Sequence, residues 1–361
     1  MVRWRSGTVT TLRRQWSGAT ELEVRLTDGT PMRALAYPHL VGHPEPGDRV
    51  LLNAGALLMG LGTGGYALVV ALPDRLPADP PQVVDSRDAG HLVKARYTPL
   101  QPILLGVDEE ASPHREVLAT ADSLDGMPVV TADLHSALPA VLAGIRADAP
   151  DARVAYLLTD GGALPAWFSR TLDGLRDHLV GTVSVGQAFG GDLEAATLHT
   201  GLLAARHVLH ADVAIVAQGP GNLGTGTRWG FSGVAVGEAV NAVAVLGGRA
   251  VGSLRISDAD LRPRHRGVSH HSLTAYGRVA LAPADLVVPE GLEPALAAQV
   301  DAALAGLGDR HRLVRVHTEG LDAALRAAPV TLSTMGRGLD ADHAYFVAAA
   351  AAGRHAVSLL G

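Results

Sequence analysis

Residues 262–272, RPRHRGVSHHS, form the most densely polar stretch of the chain. Arginine suits bidentate contacts to a phosphate or carboxylate, and histidine suits acid–base catalysis or metal binding. We therefore predict anion binding by Arg262, Arg264 and Arg266, and proton transfer or metal ligation by His270 or His271. Adjacent residues on a helix point about 100° apart, so only one of the two histidines is expected to face a shared ligand.

The polar residues of this stretch, and other candidate polar residues elsewhere in the chain, also have structural interpretations. The stretch itself can be a solvated basic loop in which Ser269 caps a helix. Asp133 and His135 have a D-x-H spacing that can bind metal, although capping by Asp133 or Ser136 is the simpler role. Tyr276 is a candidate proton donor that no second feature of the sequence supports.

Glu238 and Asn241 lie three residues apart in a helix that is otherwise apolar nearly all round. Residues at this spacing share one face of a helix, and a polar pair in a buried helix needs partners. Those partners are either a ligand, with Glu238 in a catalytic role, or neighbouring loop backbone.

A glycine-rich loop stands at the centre of residues 211–246, ADVAIVAQGPGNLGTGTRWGFSGVAVGEAVNAVAVL, between a buried strand and a buried helix. Glycines let several N–H groups point at one anion, and a helix N-terminus, here with Ser232 as N-cap, adds positive charge. The loop lacks the lysine of a P-loop, and Pro220 interrupts its dinucleotide-like spacing, so a structural turn remains the alternative. The predicted anion-binding residues are Gln218, Gly219, Gly221, Asn222, Gly224, Thr225, Gly226 and Thr227.

Glycine-containing strand-to-helix loops recur near residues 158, 185 and 332. In an open parallel sheet such loops meet at the carboxyl edge, where these folds bind ligands. The recurrence extends the predicted ligand site to Gly161, Gly162, Gly190, Gly191 and Arg337. Asp192 and Asp340, in the same loops, are expected to be helix N-caps.

Alternating strands and helices from about residue 128 onwards predict the fold class of the larger part of the chain. Helices are expected at about 136–146, 165–178, at 192–210 and after residue 340. We predict an α/β domain of the Rossmann-like three-layer kind, with a mostly parallel sheet flanked by helices. Its strands are expected near residues 129–130, 154–159, 180–185, 214–217, 250–256, 313–317 and 330–333.

Residues 1–75 have the short strands and tight turns of a small β-barrel of the OB or SH3-like kind. The proline-rich segment 76–91 reads as a linker, and residues 92–361 make up the α/β domain. Trp4 and Trp16, with nearby arginines, could stack on single-stranded nucleic acid. Core packing of the tryptophans and ordinary surface arginines explain them more simply.

Composition excludes several classes of function. The chain has no cysteine, which removes disulfides and thiolate metal sites, and one lysine, Lys94, which disfavours Schiff-base chemistry. A net charge of −6 argues against a dedicated nucleic-acid binder. The N-terminus lacks a signal-peptide core and no apolar run is long enough to span a bilayer, so we expect a cytoplasmic protein. The sequence identifies no cofactor or metal and leaves a homo-oligomer open.

Two runs, ADVAIVAQGPGNLGTGT and RGVSHHSLTAYGRVALAPADL, resemble a family of bacterial proteins of unknown function. The resemblance covers most of the chain. It implies no activity and no catalytic residue, and it marks these two runs as the family's signature.

The leading hypothesis is a cytoplasmic enzyme that binds a small anionic ligand, phosphorylated or nucleotide-like, at the carboxyl edge of the sheet. One alternative is a non-catalytic protein that senses a ligand in the same cleft and regulates a protein partner. The other is a protein associated with single-stranded nucleic acid through its N-terminal barrel.

Overall fold

The fold is that of a computed structural model, which describes residues 2–62, 64–78 and 90–360. Their contacts divide the chain into two compact units. One contains residues 1–104 with 167–173, and the other contains residues 105–166 with 174–361. The predicted linker at 76–91 falls mostly on residues 79–89, which lie outside the described residues.

The first unit is built on a closed five-stranded barrel. Its strands are β1 (Trp4–Trp16), β2 (Ala19–Leu26), β3 (Pro31–Ala36), β4 (Arg49–Asn53) and β5 (Ala67–Ala71). The order around the barrel is β1-β2-β3-β5-β4, with a parallel pairing between β3 and β5 and antiparallel pairings elsewhere. Leu22, Val50 and Leu52 fill the interior and are fully buried. The prediction of a small N-terminal β-barrel is confirmed.

Short elements complete the first unit. They are α1 (Pro38–Val41), α2 (Gly55–Leu58) and the antiparallel pair β6 (Leu92–Val93) and β7 (Ile103–Leu104). Trp16 is half-buried, and its indole N–H donates a 2.7 Å hydrogen bond to the carbonyl of Trp167, whereas Trp4 is exposed. One of the two tryptophans therefore has a packing role within its own unit.

An eight-stranded, all-parallel sheet organises the second unit. Its strands are β8 (Pro128–Ala132), β9 (Val154–Thr159), β10 (Gly181–Ser184), β11 (Leu193–Glu194), β12 (Val213–Gln218), β13 (Arg249–Ser253), β16 (Asp285–Pro289) and β17 (Arg312–Val316). The order is β11-β10-β9-β12-β8-β13-β16-β17, which places β8 between β12 and β13. Central strands of such a sheet are covered on both faces, which explains why β8, β12 and nearly all of β9 are buried. The predicted α/β class with a parallel sheet is confirmed.

Helices cover the sheet, and two further antiparallel pairs lie outside it. The pairs are β14 (Ile256–Ser257) with β15 (Gly267–Val268), and β18 (Ser333–Thr334) with β19 (Arg337–Gly338). The helices of this unit are α3 (Arg115–Ala119), α4 (Leu138–Asp148), α6 (Leu198–His207), α7 (Ala235–Val245), α8 (His270–Thr274), α9 (Pro294–Leu304), α10 (Leu321–Arg326) and α11 (His343–Ser358). Helix α5 (Arg170–Gly174) lies mostly in the first unit.

Some predicted elements are different in the structure. The continuous helix expected at 165–178 is replaced by α5 between two short 3₁₀ turns, and the strand expected at 330–333 is only the two-residue β18. Asp192 accepts hydrogen bonds from Thr182 instead of capping α6, and Asp340 pairs with Arg326. Both aspartates were expected to cap helices, and each instead pairs with a side chain from another part of the chain.

The close contact between α4 and α11 depends on glycine. A Cβ on Gly144 of α4 would overlap the carbonyl oxygen of Ala350, and a Cβ on Gly353 of α11 would overlap that of Val141. Both helices are almost wholly buried along this contact. No helix among the described residues combines the length and hydropathy needed to cross a membrane.

Candidate functional site

Three neighbouring strands at the centre of the sheet lead into buried polar residues at their carboxyl ends. Gln218 ends β12, Asp133 follows β8, and Arg255 lies two residues after β13. All three side chains are buried. The Gln218 amide Nε2 donates to the Asp133 carbonyl at 2.7 Å, which ties two of these strand ends together. This edge is where parallel α/β sheets bind ligands.

Three imidazoles form what we call the histidine cluster: His265, His270 and His271. Their ring centroids lie 4.4 Å to 4.9 Å apart. Each ring offers one nitrogen, and these nitrogens all lie within 4.8 Å of one another. Both adjacent histidines thus contribute a nitrogen to the cluster, whereas the sequence led us to expect that only one would face a shared ligand.

The local fold explains why both adjacent histidines face the cluster. The unpartnered ring nitrogens are Nε2 of His270 and Nδ1 of His271. In an imidazole, Nε2 lies farther from the backbone than Nδ1. The planes of the two rings are inclined by 61°. The different reach of the two nitrogens compensates for the angle between successive helix positions.

Ser269 organises the cluster from the start of α8. Its Oγ accepts the backbone N–H of His271 at 3.2 Å, so it is the helix N-cap, as the structural interpretation of the sequence expected. The same oxygen lies 2.7 Å from Nδ1 of His265, within hydrogen-bond distance. One hydroxyl thus fixes the start of α8 and the orientation of a histidine from the preceding 3₁₀ turn.

Phe231 forms an apolar wall beside the cluster. It follows the glycine-rich loop and stacks on the His271 ring, with centroids 3.8 Å apart and planes inclined by 2°. The stack holds the His271 ring in one plane and shields one of its faces from water.

Four buried polar atoms around this edge lack a hydrogen-bond partner in the described part of the chain: Asp133 Oδ2, Gln218 Oε1, His270 Nε2 and His271 Nδ1. Asp133 Oδ2 and His271 Nδ1 lie 3.6 Å apart, too far for a hydrogen bond. Leaving such an atom unsatisfied costs about 1–3 kcal/mol, so buried polar groups are normally paired. Several orphaned atoms in one place indicate a site built for something other than folding.

A group of charged side chains, which we call the arginine cluster, adjoins the histidines. Asp260 accepts from Arg255 at 3.2 Å, from Arg262 at 2.8 Å and from Arg337 at 3.3 Å. Arg337 also pairs with Asp342 at 2.9 Å. The hydrogen bonds from Arg262 hold the pKa of Asp260 well below its usual range. Three guanidiniums facing two carboxylates leave one surplus positive charge.

Burial keeps two imidazoles of the histidine cluster neutral. It lowers the pKa of His265 to about 3, with a further contribution from the positive charges of Arg255 and Arg262. Burial also lowers the pKa of His270 to about 4, with contributions from His271 and then Arg264. At pH 7 both rings are therefore neutral.

The glycine-rich loop folds back on itself through its own hydrogen bonds. Thr225 N–H donates to the Gly230 carbonyl at 2.7 Å, and Gly230 N–H donates to Thr227 Oγ1 at 3.2 Å. Ser232 is not the predicted cap of a long helix, because its Oγ accepts from Leu223 N–H while a 3₁₀ turn precedes α7. The N–H groups of Gly221, Gly224 and Gly226 remain without a bond to any described residue.

The other predicted glycines have structural roles. A Cβ on Gly161 would overlap Gln218 Oε1, and one on Gly162 would overlap the carbonyl of Gly219, so both permit close packing against the end of β12. Gly190 N–H donates to Glu194 at 2.6 Å, and Gly191 N–H donates to Ser184 Oγ at 2.9 Å. The N–H groups of Gly190 and Gly191 are thus already used by protein side chains.

Neither Glu238 nor the Tyr276 hydroxyl forms a hydrogen bond with the histidine cluster among the described residues. Glu238 is exposed on α7, and it has no hydrogen bond or ion pair with any residue that the structure describes. Asn241 Oδ1 instead accepts the backbone N–H groups of Leu281 and Ala282. The Tyr276 hydroxyl is fully buried and donates to the carbonyl of Thr131 at 2.7 Å.

The predicted arginines differ in their surroundings. Arg262 and Arg337 belong to the arginine cluster, whereas Arg266 is exposed and donates to the Asp258 carbonyl at 3.2 Å. Arg264 is exposed and forms no ion pair within the described ranges. Sequence reasoning did not select four residues of these two clusters and their surroundings as site residues: His265, Phe231, Arg255 and Asp260. Two of them, His265 and Asp260, lie in or beside the dense polar stretch, which was the available signal.

Comparison with known proteins gives a family but no activity. A search of curated proteins returned no match. A family model covers residues 33–353, which include the strands of the parallel sheet and both clusters. The chain belongs to the family described as protein of unknown function (DUF3866).

Proposed function

We propose that the chain is a cytoplasmic enzyme that acts on a small anionic molecule at the carboxyl edge of the sheet. The histidine cluster would be its reaction centre. One observation supports this above the others: neutral, partly unpartnered imidazoles adjoin a surplus of guanidinium groups. Such a site attracts an anion and places neutral imidazole nitrogens beside it.

The charge balance supports an anionic ligand. The arginine cluster has one more guanidinium than carboxylates, and a surplus positive charge attracts a counter-ion. Arg264 adds an exposed guanidinium that also acts electrostatically on His270. Arginine suits phosphate and carboxylate groups because its fork can make two parallel hydrogen bonds.

The glycine-rich loop supplies backbone donors for the same ligand. Gly221 and Gly226 adopt positive φ, at 89° and 82°, which favours glycine and turns the backbone sharply. With Gly224 they present N–H groups that no described residue uses. Backbone N–H groups in such turns make anion-binding concavities.

The orphaned polar atoms favour turnover over simple sensing. Asp133 Oδ2 and His271 Nδ1 lie 3.6 Å apart, so a carboxylate stands beside an unpartnered ring nitrogen without a hydrogen bond between them. Strongly perturbed histidines are typical of catalytic sites. A sensor would gain nothing from burying unpaired reactive groups at a stability cost.

Thermal unfolding against a panel of anions tests the binding step. The panel contains inorganic phosphate, nucleotides, sugar phosphates and dicarboxylates, all with a metal chelator present. A ligand at a hundred times its Kd stabilises the folded state by about 2.7 kcal/mol. At about 2–4 °C per kcal/mol, this predicts a rise in the unfolding temperature of several degrees.

Arg264→Ala and Gly224→Ala are the informative variants. Neither residue has a partner whose loss would unfold the chain, because Arg264 is exposed and a Cβ on Gly224 meets no atom closely. Losing a charged hydrogen bond costs about 1.5–3 kcal/mol, so the affinity of Arg264→Ala should fall roughly 10-fold to 100-fold. Gly224→Ala keeps its N–H, and its methyl group should weaken binding by obstructing a close approach of the ligand to the backbone. Arg206→Ala, at the end of α6, is the control and should bind normally. The proposal is overturned if no anion raises the unfolding temperature, or if both variants bind as tightly as the wild-type chain. Saturable binding of an anion that the protein does not convert would instead identify a sensor.

A further inference from the structure

We propose that the histidine cluster binds one divalent transition-metal ion of the zinc class. The inference deepens the proposed function, on which it rests for the role of the ion. Metal binding itself is measured without any anionic ligand. The geometry of the three rings supports it first, since their nitrogens lie within 4.8 Å of one another.

The spacing of the nitrogens suits a metal after a small closure. Bonds of about 2.0–2.1 Å to a tetrahedral zinc ion place two nitrogens about 3.3 Å apart. The rings therefore need to approach by at most about 1.5 Å, which side-chain rotation of His270 at its half-buried position can supply. Three imidazoles are a common ligand set for zinc, with one position left open for water or substrate.

The lack of hydrogen-bond partners for two of the ring nitrogens is an independent observation. His270 Nε2 and His271 Nδ1 are buried and have no hydrogen-bond partner among the described residues. His271 itself is more than nine-tenths buried, so its nitrogen is shielded from bulk solvent. A bound ion would satisfy both atoms at once.

The surroundings resemble the outer shell of a metal site. When His265 Nδ1–H donates to Ser269 Oγ, at 2.7 Å, the Nε2 of His265 carries the electron pair that a metal needs. Asp133 Oδ2, 3.6 Å from His271 Nδ1, adds a negative charge beside the ion. We assign the three histidines as ligands, and Ser269 and Asp133 as positioning residues.

The ion also explains how the histidine and arginine clusters would cooperate. An anion bound to the open metal position would lie between a divalent cation and the surplus guanidinium. The ligand would then be recognised through a phosphate or carboxylate oxygen, which accepts hydrogen bonds from guanidinium groups and gives an electron pair to a metal ion.

Metal titration of the full chain tests this inference. The protein, purified with a tag free of histidine and stripped with a chelator, is titrated with Zn²⁺ in competition with a chromophoric chelator and with Co²⁺ by visible absorption. We expect one equivalent of either ion. Loss of an outer-shell partner typically weakens metal binding about 10-fold to 100-fold, so Ser269→Ala should do the same and each ligand variant should lose at least as much.

The ligand variants are His265→Ala, His270→Ala and His271→Ala, and His199→Ala is the matched control because His199 is exposed on α6. His271→Gln, which keeps most of the side-chain volume, replaces His271→Ala if the latter fails to fold, and far-UV circular dichroism verifies the fold of each variant. The inference is overturned if the wild-type chain binds no ion, or if its stoichiometry survives all three ligand substitutions. A positive anion panel with a negative metal titration would reject the metal alone and leave the enzyme with an imidazole base.

Discussion

Asp260→Asn is the sharpest test of the arginine cluster. Asp260 is 2% exposed and accepts from Arg255, which is 3% exposed and has no other carboxylate partner among the described residues. Arg262 is partly exposed, and Arg337 keeps Asp342, so one buried charge rather than three is left unpaired. Breaking a buried ion pair costs about 3–5 kcal/mol. At about 2–4 °C per kcal/mol, the unfolding temperature should fall by roughly 6–20 °C.

The matched control is Asp301→Asn, which removes an exposed pair with Arg315 and should change stability by about 0–1 kcal/mol. The assay is thermal and urea unfolding between pH 7 and pH 3. The pKa of Asp260 is lowered in the folded state, so its contribution is present above the unfolded pKa of about 3.9 and is lost as pH falls towards the folded value. The difference from wild type should therefore stay constant from pH 7 to about pH 5. A difference no larger than the control's, or one that already closes at pH 6, would refute the reasoning.

Two further changes test the packing and a buried histidine. Gly144→Ala should destabilise the second unit by about 1–3 kcal/mol in urea unfolding despite alanine's higher helix propensity, because its methyl group overlaps the Ala350 carbonyl. Gly306→Ala, where a Cβ meets no atom within 4 Å, should be neutral or stabilising, and equal effects would contradict the packing argument. His311 is held neutral, with Nδ1 accepting the Ala284 N–H, and burial lowers its pKa. Its contribution is therefore complete above about pH 6.5 and is lost as pH falls, so the stability of His311→Gln should decline less between pH 7.5 and pH 5.5; parallel declines would count against this.

The sequence predicted those parts of the fold that local pattern determines. The buried strands β8, β9 and β12 are short apolar runs followed by polar residues, and all three were anticipated. β16 was missed because its apolar centre, residues 286–288, is only three residues long and lies between Asp285 and Pro289. The helix expected at 165–178 was wrong because its apolar periodicity is too short to hold one long helix.

The candidate site was only partly predictable, because its chemistry depends on pairings between distant segments. Sequence reasoning selected the polar stretch and the end of β12. It could not show that Asp133 lies beside His271, since 138 residues separate them and only the sheet order brings them together. The angle between successive helix positions also did not predict that both adjacent histidines contribute a nitrogen to the cluster, because the unpartnered nitrogen is Nε2 in His270 and Nδ1 in His271.

The position of β8 in the sheet has a consequence for how the second unit folds. β8 comes first along the chain among the strands of the sheet, but its partners β12 and β13 follow about 85 and about 120 residues later. Pairings at such separations carry a large loop-closure entropy and slow the search for the native state. β8 thus has neither of its sheet neighbours until residues 213–218 and 249–253 have joined it, so the polar edge and its clusters assemble late, with the centre of the sheet.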